Sequence, residues 1–291
     1  MPATHSVDLA TCKKCHLCAE VCPAGIIQAD ETARFLEDRV PLCIRCGQCM
    51  AACPTKSITI ESLSYEKDFF ELPQRQEGWQ EAFCGLISSR RSIRNFQDRP
   101  VPHELLEKIV RAITFAPPGF TPLTVELTLV NNRELIRSAV PLMAEMYNGL
   151  LKMQANPFMR PFFKLMVGKE TYQVLSEHVL PLMKARMPAL KAGSEDTIAR
   201  GAPAMILFHA PVHNEDIFIA LAFGLLAAHS VGLGACAIGL IPPAINRNPK
   251  LKKMFQIPEG NLVLSSMVLG YPKYKYSWGI KRSPAGLTYI E

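Results

Sequence analysis

The sequence predicts an α+β chain of two unequal domains, and three observations carry that reading. Eight of the ten cysteines fall within residues 12–53, in two copies of one pattern. After Ile60 the composition changes to ESLSYEKDFFELPQRQEGWQ, charged and broken by Pro73 and Gly78, as a linker between domains is. From residue 79 to residue 291, helix-like and strand-like periods alternate within one stretch, which suits a layered architecture of helices on a sheet. The predicted boundaries are therefore a first domain at 1–60, a linker at 61–78 and a second domain at 79–291.

The elements of the second domain follow from these periods in order. A short helix is expected from Trp79 to Ser89 and another over residues 104–115, after a Val-Pro-His-Glu start. Alternation over 125–130 predicts a strand. A Met- and Phe-rich helical region is expected from Pro141 to about Leu190, interrupted at Pro157, Pro161 and Pro181. A strand at 204–210, a buried helix over 215–231, a strand near 235–240 and a strand at 262–270 complete the set. Residues 217–245 contain no Asp, Glu, Lys or Arg and are long enough to span a bilayer. His229, Ser230, Gly232 and Gly234 interrupt them, which suits a buried helix ending at glycine and a core strand, so no membrane span is predicted.

A hydrophobic content of 48% is ample for a core. Residues 1–60 hold six Lys/Arg against six Asp/Glu, so the net charge of +6 lies beyond them, as 26 against 20. That mild excess suits an anionic cofactor, and without basic runs no nucleic-acid partner is predicted. The N-terminus has no apolar signal region, so the cytoplasm is the expected location and the cysteines are expected to serve metal or redox chemistry.

The two cysteine copies are CKKCHLCAEVCPAGII (12–27) and CIRCGQCMAACPTKSI (43–58). Each is a C-x2-C-x2-C-x3-C-P run, the pattern in which three close thiolates hold one cubane and the fourth reaches the other. One [4Fe-4S] cluster is thus assigned to Cys12, Cys15, Cys18 and Cys53, the other to Cys43, Cys46, Cys49 and Cys22. Zinc is the alternative for any lone CxxC pair, and eight thiols in this double pattern argue against it. Residues 8–60 resemble a bacterial two-cluster ferredoxin, which implies a small ferredoxin-like (βαβ)2 fold with pseudo-twofold symmetry. The remaining Cys84 and Cys236 are expected to pack in the core as small hydrophobes.

Arg90-Arg91-Ser92-Ile93-Arg94 gathers guanidinium forks and a hydroxyl that suit a phosphate, although alone it also reads as a solvated basic turn. It is followed in order by APPGF (116–120), RGAPAMI (200–206), GLGACAIG (232–239) and KRSP (281–284). That order resembles the nitroreductase family over residues 85–291, which implies a nitroreductase-type α/β/α layered domain holding FMN. By that resemblance Arg90, Arg91, Ser92 and Arg94 hold the FMN phosphate and ribityl chain, with Lys281 and Arg282 reaching the phosphate. Pro117, Pro118 and Gly119 approach the flavin from a partner subunit, and Ile238, Gly239 and Leu240 present backbone near its N5 and O4 edge. The resemblance also implies a homodimer.

The family's AlaProSer-x-x-Asn-x-GlnPro loop is replaced here by APPGFTPLT, so Pro118 and Thr121 stand where it has Ser and Asn. No Rossmann dinucleotide motif is present, since GLGACAIG has the wrong third spacing. The Met/Phe-rich segment reads as ordinary core or as an apolar pocket wall over the flavin, with Tyr147, Phe158, Phe162, Phe163 and His178 as candidates. The expected function is a ferredoxin-linked FMN oxidoreductase that passes electrons from the clusters through FMN to a small acceptor: nitroaromatic, quinone, enone or halogenated. NAD(P)H or a redox protein is the expected donor. The alternative is an electron-transfer protein serving a partner protein. No catalytic acid or base is assigned, because the cofactor does the chemistry.

Overall fold

The computed structural model describes residues 5–119, 125–213 and 215–290. The chain divides into two compact units: residues up to Glu77 together with the segment that begins at Pro118 form the first, and Gly78–Pro117 with the chain from Val125 onward form the second.

The first unit contains β1 (His5–Val7), α1 (Leu17–Glu20), β2 (Ile27–Ala29), β3 (Ala33–Phe35), α2 (Gln48–Ala51), β4 (Ile58–Ile60) and α3 (Tyr65–Asp68). β1 pairs with β4 and β2 with β3, both antiparallel, giving the doubled β-α-β arrangement that the resemblance to two-cluster ferredoxins implies. The repeat extends to the backbone. Left-handed residues recur as Lys14 and Arg45 (φ 54° and 52°), His16 and Gly47 (64° and 74°), and Gly25 and Lys56 (59° and 55°). Each pair is separated by the same interval as Cys12 and Cys43. A non-glycine residue costs about 1–2 kcal/mol in this region, and the cost recurs because both loops must turn three sulfurs toward one point. The core is small: Ile26, Ile27, Met50, Ile58 and Ile60, with Cys18 and Cys49 buried among them. A unit of this size normally needs a metal or disulfide staple. Residues beyond Ile60 also pack here: Leu63, Tyr65 and Phe69 lie on this core, and the Tyr65 hydroxyl donates to the Met50 carbonyl at 3.2 Å.

The second unit begins with α4 (Trp79–Ser89) and α5 (His103–Ile113), followed by β5 (Glu126–Val130). An excursion of helices comes next: α6 (Arg133–Ala155), α7 (Met159–Val167), α8 (Lys169–Val174), a π-helical turn and α9 (Leu180–Ala192). Then follow β6 (Ala204–Ala210), α10 (Asp216–Ser230), β7 (Gly234–Ala237), α11 (Ile241–Asn246), α12 (Pro249–Met254) and β8 (Leu262–Gly270). The sheet order is β5-β6-β8-β7, and every neighbouring pair is antiparallel. Both faces are covered, which is why AMILFHA on β6 is an unbroken apolar run apart from His209. Met205 and Leu207 point into one core with residues of α6, α9, α11 and α12. Ala204, Ile206 and Phe208 point into the other with α5 and α10. The result is the expected α/β/α layering.

Three expectations need correction. The helical excursion begins at Arg133 rather than Pro141: the Asn132 side chain accepts the Leu135 N–H at 2.9 Å and caps α6, which continues through Pro141. The buried row Ile136, Val140, Met143 and Tyr147 anchors that helix and outweighs the one backbone bond the proline removes. Cys236 is buried as expected, but Cys84 is exposed, because α4 buries none of its residues within this chain. The pocket-wall candidates separate as well. Tyr147 and Phe163 are core residues, whereas Phe158, Phe162 and His178 are exposed. Among the described residues no helix is long and apolar enough to cross a membrane.

Candidate functional site

In the first unit the eight thiols fall into two sets. Cys12, Cys15, Cys18 and Cys53 line one cavity with Ala33 and Ile58. Cys22, Cys43, Cys46 and Cys49 line the other with Ile26 and Ile60. The fourth thiol of each repeat thus lies with the other repeat's triplet, the crossed assignment read from the sequence. Four thiols line each cavity, the number of thiolates that a [4Fe-4S] cluster takes.

Burial pushes the Cys18 thiol up, and the Cys49 thiol to about 12. Burial works the same way on Cys53, but the N–H groups of Ser57 and Thr55 outweigh it and hold that thiol below its ordinary value. The Ser57 N–H donates to Cys53 Sγ at 3.2 Å and the Arg45 N–H to Cys43 Sγ at 3.4 Å. Hydrogen bonds to cluster sulfurs are among the means by which a protein sets cluster potential.

In the second unit residues 90–94 leave α4 in extended conformation and lie beside β7. Ser92 bridges Ala235 in parallel, and the Ile93 N–H donates to the Ala235 carbonyl at 3.0 Å. The approach requires glycine at 234, where an added Cβ would stand 2.5 Å from Ile93. Arg91 turns toward a cavity of about 370 Å³ that it lines with Ser89, His229, Tyr274 and Lys275. Its Nη1 donates to the carbonyls of Ser88 and Arg90 at 2.7 and 2.6 Å, and Nη2 to Trp278 at 3.4 Å. His229 Nε2 is 2.8 Å from Ser89 Oγ. Burial, then the Arg90 and Arg91 charges, lowers the pKa of that imidazole.

The other predicted residues are dispersed. Ile238 is buried; its N–H donates to the Ser266 carbonyl at 3.0 Å and its carbonyl accepts the Ser266 hydroxyl at 2.7 Å. The Leu240 carbonyl accepts the Tyr147 hydroxyl at 2.7 Å. Gly239 is the exposed backbone between them. Pro117, Pro118 and Gly119 are exposed, and Thr121 lies outside the described residues. The C-terminal stretch meets the arginine strand at Trp278 and Gly279, where an added Cβ would lie 2.8 Å from Arg91 Nη2. Lys281 and Arg282 are exposed.

Sequence reasoning gave Arg200 no role although it opens the RGAPAMI motif. It is left-handed at φ 63°, and its Nε is buried without a hydrogen-bond partner, as is that of Arg91. A basic residue directly before Gly-Ala-Pro was the available signal. Buried guanidinium donors without partners are costly unless an anion meets them.

Comparison with known proteins accords with both units. Residues 87–271 match the nitroreductase family, and residues 11–58 match the 4Fe-4S dicluster domain. A Methanothermobacter thermautotrophicus protein with the provisional name NADH dehydrogenase/NAD(P)H nitroreductase is 26% identical over 186 residues, 64% of this chain and 75% of its own. The Bacillus subtilis FMN reductase (NAD(P)H) is 26% identical over 193 residues, 64% of each chain. Among solved structures, a Bacteroides fragilis nitroreductase with bound FMN superposes with a TM-score of 0.53 at 20% identity, covering 72% of this chain and 98% of that one. A Desulfitobacterium hafniense nitroreductase, also with FMN, gives 0.51 at 22%, covering 71% and 97%.

Proposed function

This chain belongs to the nitroreductase family, and from that premise we propose that it is an FMN oxidoreductase whose ferredoxin-type unit, carrying two [4Fe-4S] clusters, supplies electrons for reducing a small organic molecule. The observation that carries this reading is the coexistence of two four-thiol cavities with an extended arginine strand in one chain. The residues fit the implied groups: the thiols stand in two complete sets, and Arg91 and Arg200 each hold a buried Nε in need of a partner. When bound, FMN supplies both hydride and single-electron chemistry, and the clusters single-electron transfer.

The protein's part is to bind and position. Arg90, Arg91, Ser92 and Arg94 hold the FMN phosphate and ribityl chain. Arg91 supports that strand through its bonds to Ser88 and Arg90, and Lys281 and Arg282 add charge at the phosphate. Gly239, between the bonded Ile238 and Leu240, offers backbone to the ring. The exposed apolar row Trp79, Phe83 and Ile87 on α4 and the exposed Trp278 and Ile280 suit burial against a second copy. A homodimer follows, in which Pro117, Pro118 and Gly119 of one protomer reach the flavin of its partner. Nitroaromatic, quinone, enone or halogenated compounds are the acceptors, NAD(P)H or a redox protein the donor, and the cytoplasm the location.

Anaerobic iron, sulfide and flavin analysis tests the reading: about eight iron and one FMN per chain are expected, and zinc or absent flavin would overturn the corresponding half. Turnover with a panel of those acceptors comes next. Normal flavin reduction with no acceptor turned over would make the chain a relay to a partner protein.

A further inference from the structure

The helical excursion of the second unit carries a charge that the rest of the chain does not share. Residues 150–192 hold seven Lys/Arg against two Asp/Glu, so five of the six net positive charges lie in this one stretch. From Met146 to Lys169 there is no acidic residue at all, and Lys152, Arg160, Lys164 and Lys169 are all exposed.

Within that stretch α7 packs against α6 and α8. Its one buried residue is Phe163, whose ring meets that of Tyr172 edge-on at 5.6 Å. The outer side of the helix is apolar as well. Phe158 at the N-cap, Phe162, Leu165 and Met166 recur at the spacing of one helical face, and they are 89, 56, 81 and 50% exposed. Single apolar residues are ordinary on a protein surface, whereas a contiguous stripe of large ones marks a place where something binds.

The surrounding charge selects the occupant. A helix of nine residues is far too short to cross a bilayer, which takes about 20. Its make-up, Phe, Leu and Met in a stripe with Lys and Arg beside them, is that of a helix lying in the plane of a membrane surface. A second copy seated on the same face would set one cationic segment against another, and like charges oppose such a contact. An anionic bilayer answers both features together: acyl chains take up the stripe, and headgroups meet the cations. We propose that α7 docks the protein on a membrane surface rich in anionic lipid, with Phe158, Phe162, Leu165 and Met166 inserted and the cations of residues 150–192 at the headgroups. This contact goes beyond the function proposed above and stands independently of it.

The full-length holoprotein is sedimented with vesicles of phosphatidylcholine alone and of phosphatidylcholine mixed with phosphatidylglycerol, at low and at high salt. Two variants are compared with it, one carrying Leu165→Ser and Met166→Ser, the other Lys164→Gln and Lys169→Gln. All four positions are exposed, so iron content and melting temperature should match those of the wild type and show that both variants fold. The wild type is expected to bind the phosphatidylglycerol vesicles roughly tenfold or more tightly than the neutral ones, and high salt should release it. Each variant should lose about tenfold of that affinity. Binding to neither kind of vesicle, equal binding to both, or binding that survives either pair of substitutions overturns the inference. So does a fall in the oligomeric state of the lipid-free protein in either variant by analytical ultracentrifugation, since a second copy would then cover this face. Flavin content and acceptor turnover are read separately, so a failure of the proposed function leaves these outcomes standing.

Discussion

The two units solve the problem of holding a redox group in opposite ways. The first uses eight residues of one chemical type within 42 positions, from Cys12 to Cys53, at spacings set by the group they grip. The residues proposed to hold the flavin in the second, Arg90 to Arg94, Arg200 and the 238–240 backbone, come from three segments spread over about 150 positions. A covalently ligated cluster dictates sequence, because a thiolate has no substitute and its reach is short. A flavin held by hydrogen bonds and charge dictates only where backbone and cations arrive, so many sequences satisfy it.

The comparison breaks first in the cluster unit. Cys22→Ala removes one thiol from the cavity lined by Cys43, Cys46 and Cys49; iron should fall from about eight per chain to four or fewer. Retention of the full count by metal analysis would show that Cys22 is not a required cluster ligand. Next in size is Arg90→Ala. A charge-assisted hydrogen bond is worth about 1.5–3 kcal/mol, so FMN affinity should fall roughly 10- to 100-fold while iron content is unchanged; equilibrium dialysis reads the first and metal analysis the second.

Smaller effects sharpen the same contrast. Gly234→Ala drives a methyl into Ile93, an overpacking that costs about 1–3 kcal/mol. The melting temperature of the flavin unit should drop by several degrees. Gly234→Ala combined with Ile93→Ala should recover part of that loss, and calorimetry of both variants checks it. The smallest effect is expected from Tyr147→Phe, which leaves the Leu240 carbonyl without its hydroxyl donor. A loss of about 1 kcal/mol in denaturant unfolding, with little change in flavin content, would place this bond among the supports of the site; a marked loss of flavin would place it in direct contact.

What the sequence disclosed follows the same division. The cysteine spacing disclosed the two thiol sets, and the apolar run at 204–210 disclosed a strand, which the structure shows buried along its length. Arg200 was hidden because its role rests on a left-handed backbone and on Asp196 bonds that no local pattern encodes. Cys84 misled because α4 has the apolar spacing of a buried helix, Trp79, Phe83 and Ile87, while those side chains find no core within their own chain. Periodicity reports that a face is to be covered, not what covers it. Pro141 misled for a related reason: the strength of the packing around it exceeds the local preference that a proline expresses.

The exchange of Cys22 and Cys53 between the two repeats has a consequence for assembly. Filling either cavity with iron ties one repeat to the other, which closes the same stretch of chain that the second cavity needs closed. The chain entropy lost in that closure is spent once, so the second cluster enters a site already drawn together. Loading should therefore be cooperative: under limiting iron, chains with two clusters and chains with none should outnumber those with one, and oxidative loss of either cluster should hasten loss of the other.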